Sequence, residues 1–175
     1  ITPKTVTPTI EVEPCTYTSD ALEPTVTVKD DIGNIIDQKE YEIFYSNNTN
    51  AGIATVTIKD VEGGNYVLSG ASKTFEITKA AAPAAEAGSL TITNGLHKTY
   101  SLDLSALLPK LTAPCNYGTI TYDKKVDTHL GIGTFITLVD GKTGELTLDA
   151  NRSGTDEGQF GTITVTISTS NYQDI

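Results

Sequence analysis

The 175 residues carry a formal net charge of −10, with 12 Lys and Arg set against 22 Asp and Glu. Residues 1–80 hold 6 basic and 12 acidic side chains and residues 81–175 hold 6 and 10, so neither half offers the clustered cations that a phosphate backbone or an anionic membrane surface requires. The charge pattern argues against nucleic acid as a partner, and no run approaches the ~20 apolar residues of a spanning helix, which argues against membrane insertion within this stretch.

The length suits one large domain or two small ones at ~100 residues each. Met and Trp are absent, so Ile1 is expected to be an internal or processed start. The only cysteines, Cys15 and Cys115, are too few for a disulfide scaffold and too far apart for a metal-ligand cluster, and read as two isolated thiols in preference to a bridge.

In chain order, the segment from Pro3 to Val12 reads as an opening strand, and Pro3 and Pro8 place it at a sheet edge or at a switch between sheets. Thr25 to Asp30 alternates apolar and polar residues at period two, and Asp31-Ile32-Gly33-Asn34 supplies the turn that follows. Strands are predicted over Tyr41 to Tyr45, over Ile53 to Lys59 after the loop Asn47 to Gly52, and over Thr74 to Ile77 after a break at Gly63-Gly64. Tyr41, Ile43, Val56, Ile58, Phe75 and Ile77 are the expected core of this half.

The run Lys79 to Gly88 is rich in alanine but interrupted by Pro83 and too short to stand as a helix, so it reads as a linker. Beyond it, Leu90 to Thr93 and Leu96 to Tyr100 flank Asn94-Gly95, a strong two-residue hairpin signal. Asp103 to Pro109 breaks the pattern: Asp103 or Ser105 can cap a short helical turn that Pro109 ends. Further strands are predicted over Gly118 to Tyr122, Gly133 to Leu138, Gly144 to Leu148 and Gly161 to Ile167. Short strands separated by Gly, Asn and Asp turns predict an all-β chain of β-sandwich type.

The order Tyr41 to Tyr45, an Asn-rich loop closing on Ala51-Gly52, the Thr-rich strand Ile53 to Ile58, Gly64-Asn65-Tyr66, and Phe75-Glu76-Ile77 resembles bacterial immunoglobulin-like repeats of Gram-positive surface proteins. The likeness covers roughly residues 25–80. The second half resembles a related repeat through Asp103-Leu104-Ser105, Leu107-Leu108-Pro109, Tyr117 to Tyr122 and Ser170-Asn171-Tyr172, and departs from a plain immunoglobulin pattern at the helical turn. The resemblance implies two tandem immunoglobulin-like β-sandwich domains, residues 1–80 and 89–175, joined by an Ala/Pro linker at 81–88. By comparison of Gly64-Asn65-Tyr66 with Ser170-Asn171-Tyr172, the second is expected to carry only the beginning of its final strand.

Catalytic chemistry has no constellation to rest on. The histidines, His97 in a predicted strand and His129 in a predicted loop, stand without a nucleophile elbow, and neither cysteine has a local activating partner. No catalytic, cofactor-binding or metal residue is assigned. Calcium is the one cofactor the acidic strand ends leave open, at Asp30-Asp31, Asp60 with Glu62, and Asp156-Glu157, though none follows the twelve-residue loop spacing. For sugar stacking there are eight Tyr and no Trp: Tyr41, Tyr45 and Tyr66 read as packed, Tyr17 and Tyr117 as freer. The sequons at Asn47 and Asn151 are chance occurrences if the bacterial resemblance holds.

The resulting expectation is a non-catalytic spacer module of a bacterial cell-surface or secreted protein, extracellular or in the cell wall, whose partners are neighbouring domains of the same precursor. The alternative is an adhesive or glycan-binding accessory module attached to an extracellular enzyme, with a glycan or protein as ligand.

Overall fold

A computed structural model describes residues 2–68, 70–91, 99–129, 136–149 and 161–175. The chain is all-β among these residues, apart from two short 3-10 turns. It divides into two compact units: Ile1–Ala80 with Pro114–Asn116, and Ala81–Ala113 with Tyr117–Ile175.

Unit 1 holds β1 (Lys4–Thr5), β2 (Thr9–Val12), β3 (Cys15–Thr16), β4 (Val26–Lys29), β5 (Tyr41–Ser46), β6 (Gly52–Asp60), β7 (Tyr66–Val67) and β8 (Ser72–Thr78). The opening segment is divided at Pro8, which has no N–H to donate: β1 pairs in parallel with β7, whereas β2 pairs antiparallel with β4. The main sheet runs in the order β3-β8-β6-β5. Its central strand β6 alternates strictly, with Ala54, Val56 and Ile58 all at 0% exposure and Thr55, Thr57 and Lys59 on the other face. Ile10, Val26 and Val28 from the β2-β4 pair share one apolar cluster with Tyr41, Val56 and Ile58 from the main sheet, so the two sheets face a common core. Of the six residues expected there, five are buried and Ile43 is partly buried against the cluster.

Two buried carboxylates fasten the turns of this unit. Asp30 accepts hydrogen bonds from the backbone N–H groups of Ile32 (3.1 Å) and Asn34 (2.8 Å), which closes the turn after β4. Glu40 ends a 3-10 turn at Gln38–Glu40, capped by Asp37, that the sequence did not announce. It reaches across 25 residues to accept from the Asn65 backbone N–H (2.7 Å) and from Asn65 Nδ2 (2.8 Å).

Unit 2 holds β9 (Thr99–Asp103), β10 (Ile120–His129), β11 (Ile136–Val139), β12 (Glu145–Asp149) and β13 (Gly161–Thr169). β9, β12 and β11 form one antiparallel sheet, and β10 pairs with β13. The expected turn after Asp103 is a 3-10 helix at Leu104–Leu107: the Asp103 carboxylate accepts from Ser105 N (2.8 Å) and Ser105 Oγ (2.6 Å), and Leu104 is buried. Leu104, Tyr122, Leu146 and Ile167 centre the core. Gly144 is required by this packing, since its φ is +74° and a Cβ there would come within 2.5 Å of the Tyr122 ring. Gly88, placed in the linker by sequence, lies against Leu107 and Leu102 of this core.

One expectation is corrected here. His129 was assigned to a loop, but it is the last residue of β10, opposite Gly161. The charged stretch from Asp123 to Asp127 hides the alternation, yet the ladder to β13 holds it extended across a register shift between Lys124 and Val126. The Asn94-Gly95 hairpin, His97, residues 133–135, the Asn151 sequon, Asp156 and Glu157 lie outside the described residues.

Phe75 is 4% exposed, lies opposite Ala54 and meets the Tyr45 ring edge-on at 6.3 Å between centroids. Phe75→Ala is expected to destabilise unit 1 by about 3–5 kcal/mol in urea unfolding followed by tyrosine fluorescence. A loss below about 1 kcal/mol would contradict this packing.

Candidate functional site

The sequence-selected side chains do not converge on one place. Cys15 lies at the start of β3 opposite Ile77, and Cys115 lies in the 114–116 segment; both are free thiols and half-buried. Cys115 Sγ donates to Ser19 Oγ at 3.4 Å. Asp30 is engaged by its own turn and by Lys4 Nζ at 3.3 Å, and Asp60 and Glu62 are exposed. Among the described residues no three of His, Cys, Asp and Glu gather in a metal-holding group.

The tyrosines sort differently from the sequence reading. Tyr17, expected to be free, is 3% exposed: its hydroxyl donates to the Asn116 carbonyl (3.3 Å) and accepts from the Asn116 N–H (3.2 Å). Tyr117 is half-buried, donates to the Pro109 carbonyl at 2.8 Å, and packs edge-on against Tyr172. Tyr45 donates to the Pro24 carbonyl at 2.6 Å, and burial pushes its hydroxyl above the usual tyrosine range.

An open groove of about 940 Å³ lies in unit 1, between the edge strand β5 of the main sheet as described and the segment leading into β4. Tyr41, Phe44 and Tyr45 supply its aromatic surface, and Glu23, Glu42 and Asn48 supply polar groups. Phe44 is the residue that the sequence reading passed over. It shares strand parity with Glu42 and so points away from the core, 44% exposed, with Lys59 Nζ 4.8 Å above its ring.

A second feature lies where β3 joins β8. The two strands run parallel, with Cys15 opposite Ile77 and Thr16 opposite Thr78. Tyr17 N donates to the Thr78 carbonyl at 2.9 Å, and Thr78 Oγ1 donates to the Cys15 carbonyl and meets Thr16 Oγ1, both at 3.1 Å. Further up the unit, β1 joins β7 in the same parallel sense, with Lys4 N donating to Asn65 O and Val6 N to Val67 O.

No family model matches the chain, and no curated protein or solved structure matches it significantly.

The acidic fastenings make unit 1 sensitive to pH. Hydrogen bonds from the Asn65 backbone and side chain hold the Glu40 carboxyl below its ordinary value. Burial pushes Asp30 upward, but the hydrogen bonds from Asn34, Ile32 and Lys4 outweigh it, and its carboxyl also lies below its ordinary value. Both carboxyls bind protons less readily folded than unfolded, so their stabilisation is complete above the unfolded values near ~4 and is lost as pH falls through the folded ones. Glu40→Gln is expected to lower the stability of unit 1 at pH 7 and to flatten its decline in acid. An unchanged acid-unfolding slope would show that the Glu40–Asn65 link contributes nothing.

Proposed function

We propose that the chain is a pair of immunoglobulin-like β-sandwich modules that act as a non-catalytic spacer in a bacterial cell-surface or secreted multidomain protein. The observation that carries this reading is the parallel union of the first strands of unit 1 with its last ones. Pulling the two ends of such a unit apart loads β1 along β7 first and β3 along β8 once β1 and β2 have come away, and at each parallel junction the bonds are loaded together rather than opened one after another. A module so built resists extension with no chemistry beyond its hydrogen bonds. The order of elements that resembles Gram-positive surface repeats, and the even acidic surface, fit an extracellular or cell-wall position.

Thr78→Val removes both side-chain bonds at the β3–β8 junction and leaves the backbone bond from Tyr17 in place. Its equilibrium cost is expected to be small, about 1 kcal/mol or less for exposed hydrogen bonds. In single-molecule stretching, the force at which unit 1 ruptures should fall clearly below that of the parent. Equal rupture forces would contradict a role in carrying tension.

The groove beside β5 favours a second reading, an adhesive or glycan-binding module, because Phe44 offers a half-exposed ring next to polar groups. On that reading a glycan array gives a saturable signal that Phe44→Ala abolishes. Silence of the parent chain across the array would leave the spacer reading alone.

A further inference from the structure

The parallel junction of β1 with β7 opens on a bond from Lys4 N to the Asn65 carbonyl (2.8 Å) and closes on one from Val6 N to the Val67 carbonyl (3.1 Å). The first of these rungs is gripped from both strands by a buried carboxylate. On the β7 side, Glu40 fixes Asn65 with both oxygens: Oε2 accepts from the backbone N–H at 2.7 Å and Oε1 from Nδ2 at 2.8 Å. On the β1 side, Asp30 Oδ2 accepts from Lys4 Nζ at 3.3 Å. The two acids stand on different turns, after β4 and before β5, and meet the same rung.

Protonation acts on the two grips in different ways. Glu40 serves two N–H donors with two oxygens, so a proton on either oxygen sets a donor against a donor. In Asp30 the shorter bonds are at Oδ1, from Ile32 N at 3.1 Å and Asn34 N at 2.8 Å. Oδ2 receives Lys4 Nζ and Asn34 Nδ2, each at 3.3 Å. The proton therefore goes to Oδ2, where it ends the ion pair with Lys4 and leaves the turn after β4 closed.

The charged groups around these acids are engaged with one another. Asp37 and Lys39, on the turn of Glu40, pair at 3.0 Å, and Glu62 is exposed on the turn whose Gly64 lies against Glu40. Asp31 shares Lys4 at 3.6 Å, and Lys29 is held by Glu11 at 2.6 Å. Pro8 has no N–H to donate and separates β1 from β2, so β1 can leave without breaking the β2-β4 ladder.

We propose that Glu40 and Asp30 form an acid-operated release for β1: with both protonated, β1 parts from β7 while the β3-β8-β6-β5 sheet stays folded. Both carboxyls lie below their ordinary values in the folded chain, so the grip is complete above ~4 and is lost as pH falls through the folded values. Release uncovers Val6, which is 3% exposed in the closed form. The device sits at the junction that tension loads first, but it operates whether or not the module carries tension.

The test is an NMR pH titration of the isotope-labelled chain, from neutral pH to about pH 2, following the side-chain carboxyl carbons of Glu40 and Asp30. The amides of Lys4, Val6 and Val67 should move to the positions of an unstructured chain in step with those carboxyls. Those of Ala54, Val56 and Ile58 should keep their folded positions over the same range. The double variant Glu40→Gln with Asp30→Asn keeps the shape of the two acids without their charge, and should show β1 released already at neutral pH. Loss of the β1 and β6 amides together at one pH would overturn the proposal, since it would be a single unfolding of the unit. So would β1 amides that stay in place after both carboxyls have titrated, or in a folded double variant at neutral pH. Should the double variant not fold, the titration of the parent chain decides alone.

Discussion

Ala54, Val56 and Ile58 are sealed from solvent because β6 has a hydrogen-bonded neighbour on each side, and the rest of unit 1 is arranged around that condition. A strand of alternating Thr and aliphatic residues has one face to bury and two edges to satisfy. β5 and β8 satisfy the edges, and the β2-β4 pair covers the face. Once β8 is committed to β6, its far side accepts β3 in parallel, which brings the beginning of the unit to its end. The proposed spacer role draws on this closure, since the β3–β8 junction exists only because β8 is anchored on β6.

In unit 2, β13 carries nearly the same run of residues as β6: Ile167 packs with Leu104, Tyr122 and Leu146, β10 pairs along the strand, and Ile175 exchanges two backbone bonds with Ile167. Ile163 and Val165, on the same face as Ile167, are half-buried against that core.

Much of this architecture could be read from periodicity. The strands from Val26, Tyr41, Gly52, Ser72 and Gly161 appear where alternation and Gly or Asn turns placed them, and Asp103 caps the one interruption in unit 2. The features that escaped are those fixed by distant partners. Nothing near Glu40 signals that its carboxylate will be buried against Asn65, and nothing near Tyr17 signals that its hydroxyl will be matched to Asn116, 99 residues away. His129 was misplaced because a charged segment has no alternation to show, and only the ladder to β13 makes it a strand. Phe44 was legible by parity, as the outward residue between inward Ile43 and Tyr45, although the groove beside it depends on the path of the segment before β4.

Amide hydrogen exchange of the free chain, resolved residue by residue along β6, tests this account most directly. In β6, the amides of Ala54 and Val56, which face β8, should exchange only when unit 1 unfolds as a whole. Fast exchange at Ala54 or Val56 without global unfolding of unit 1 would contradict the two-sided pairing of β6 on which the account depends.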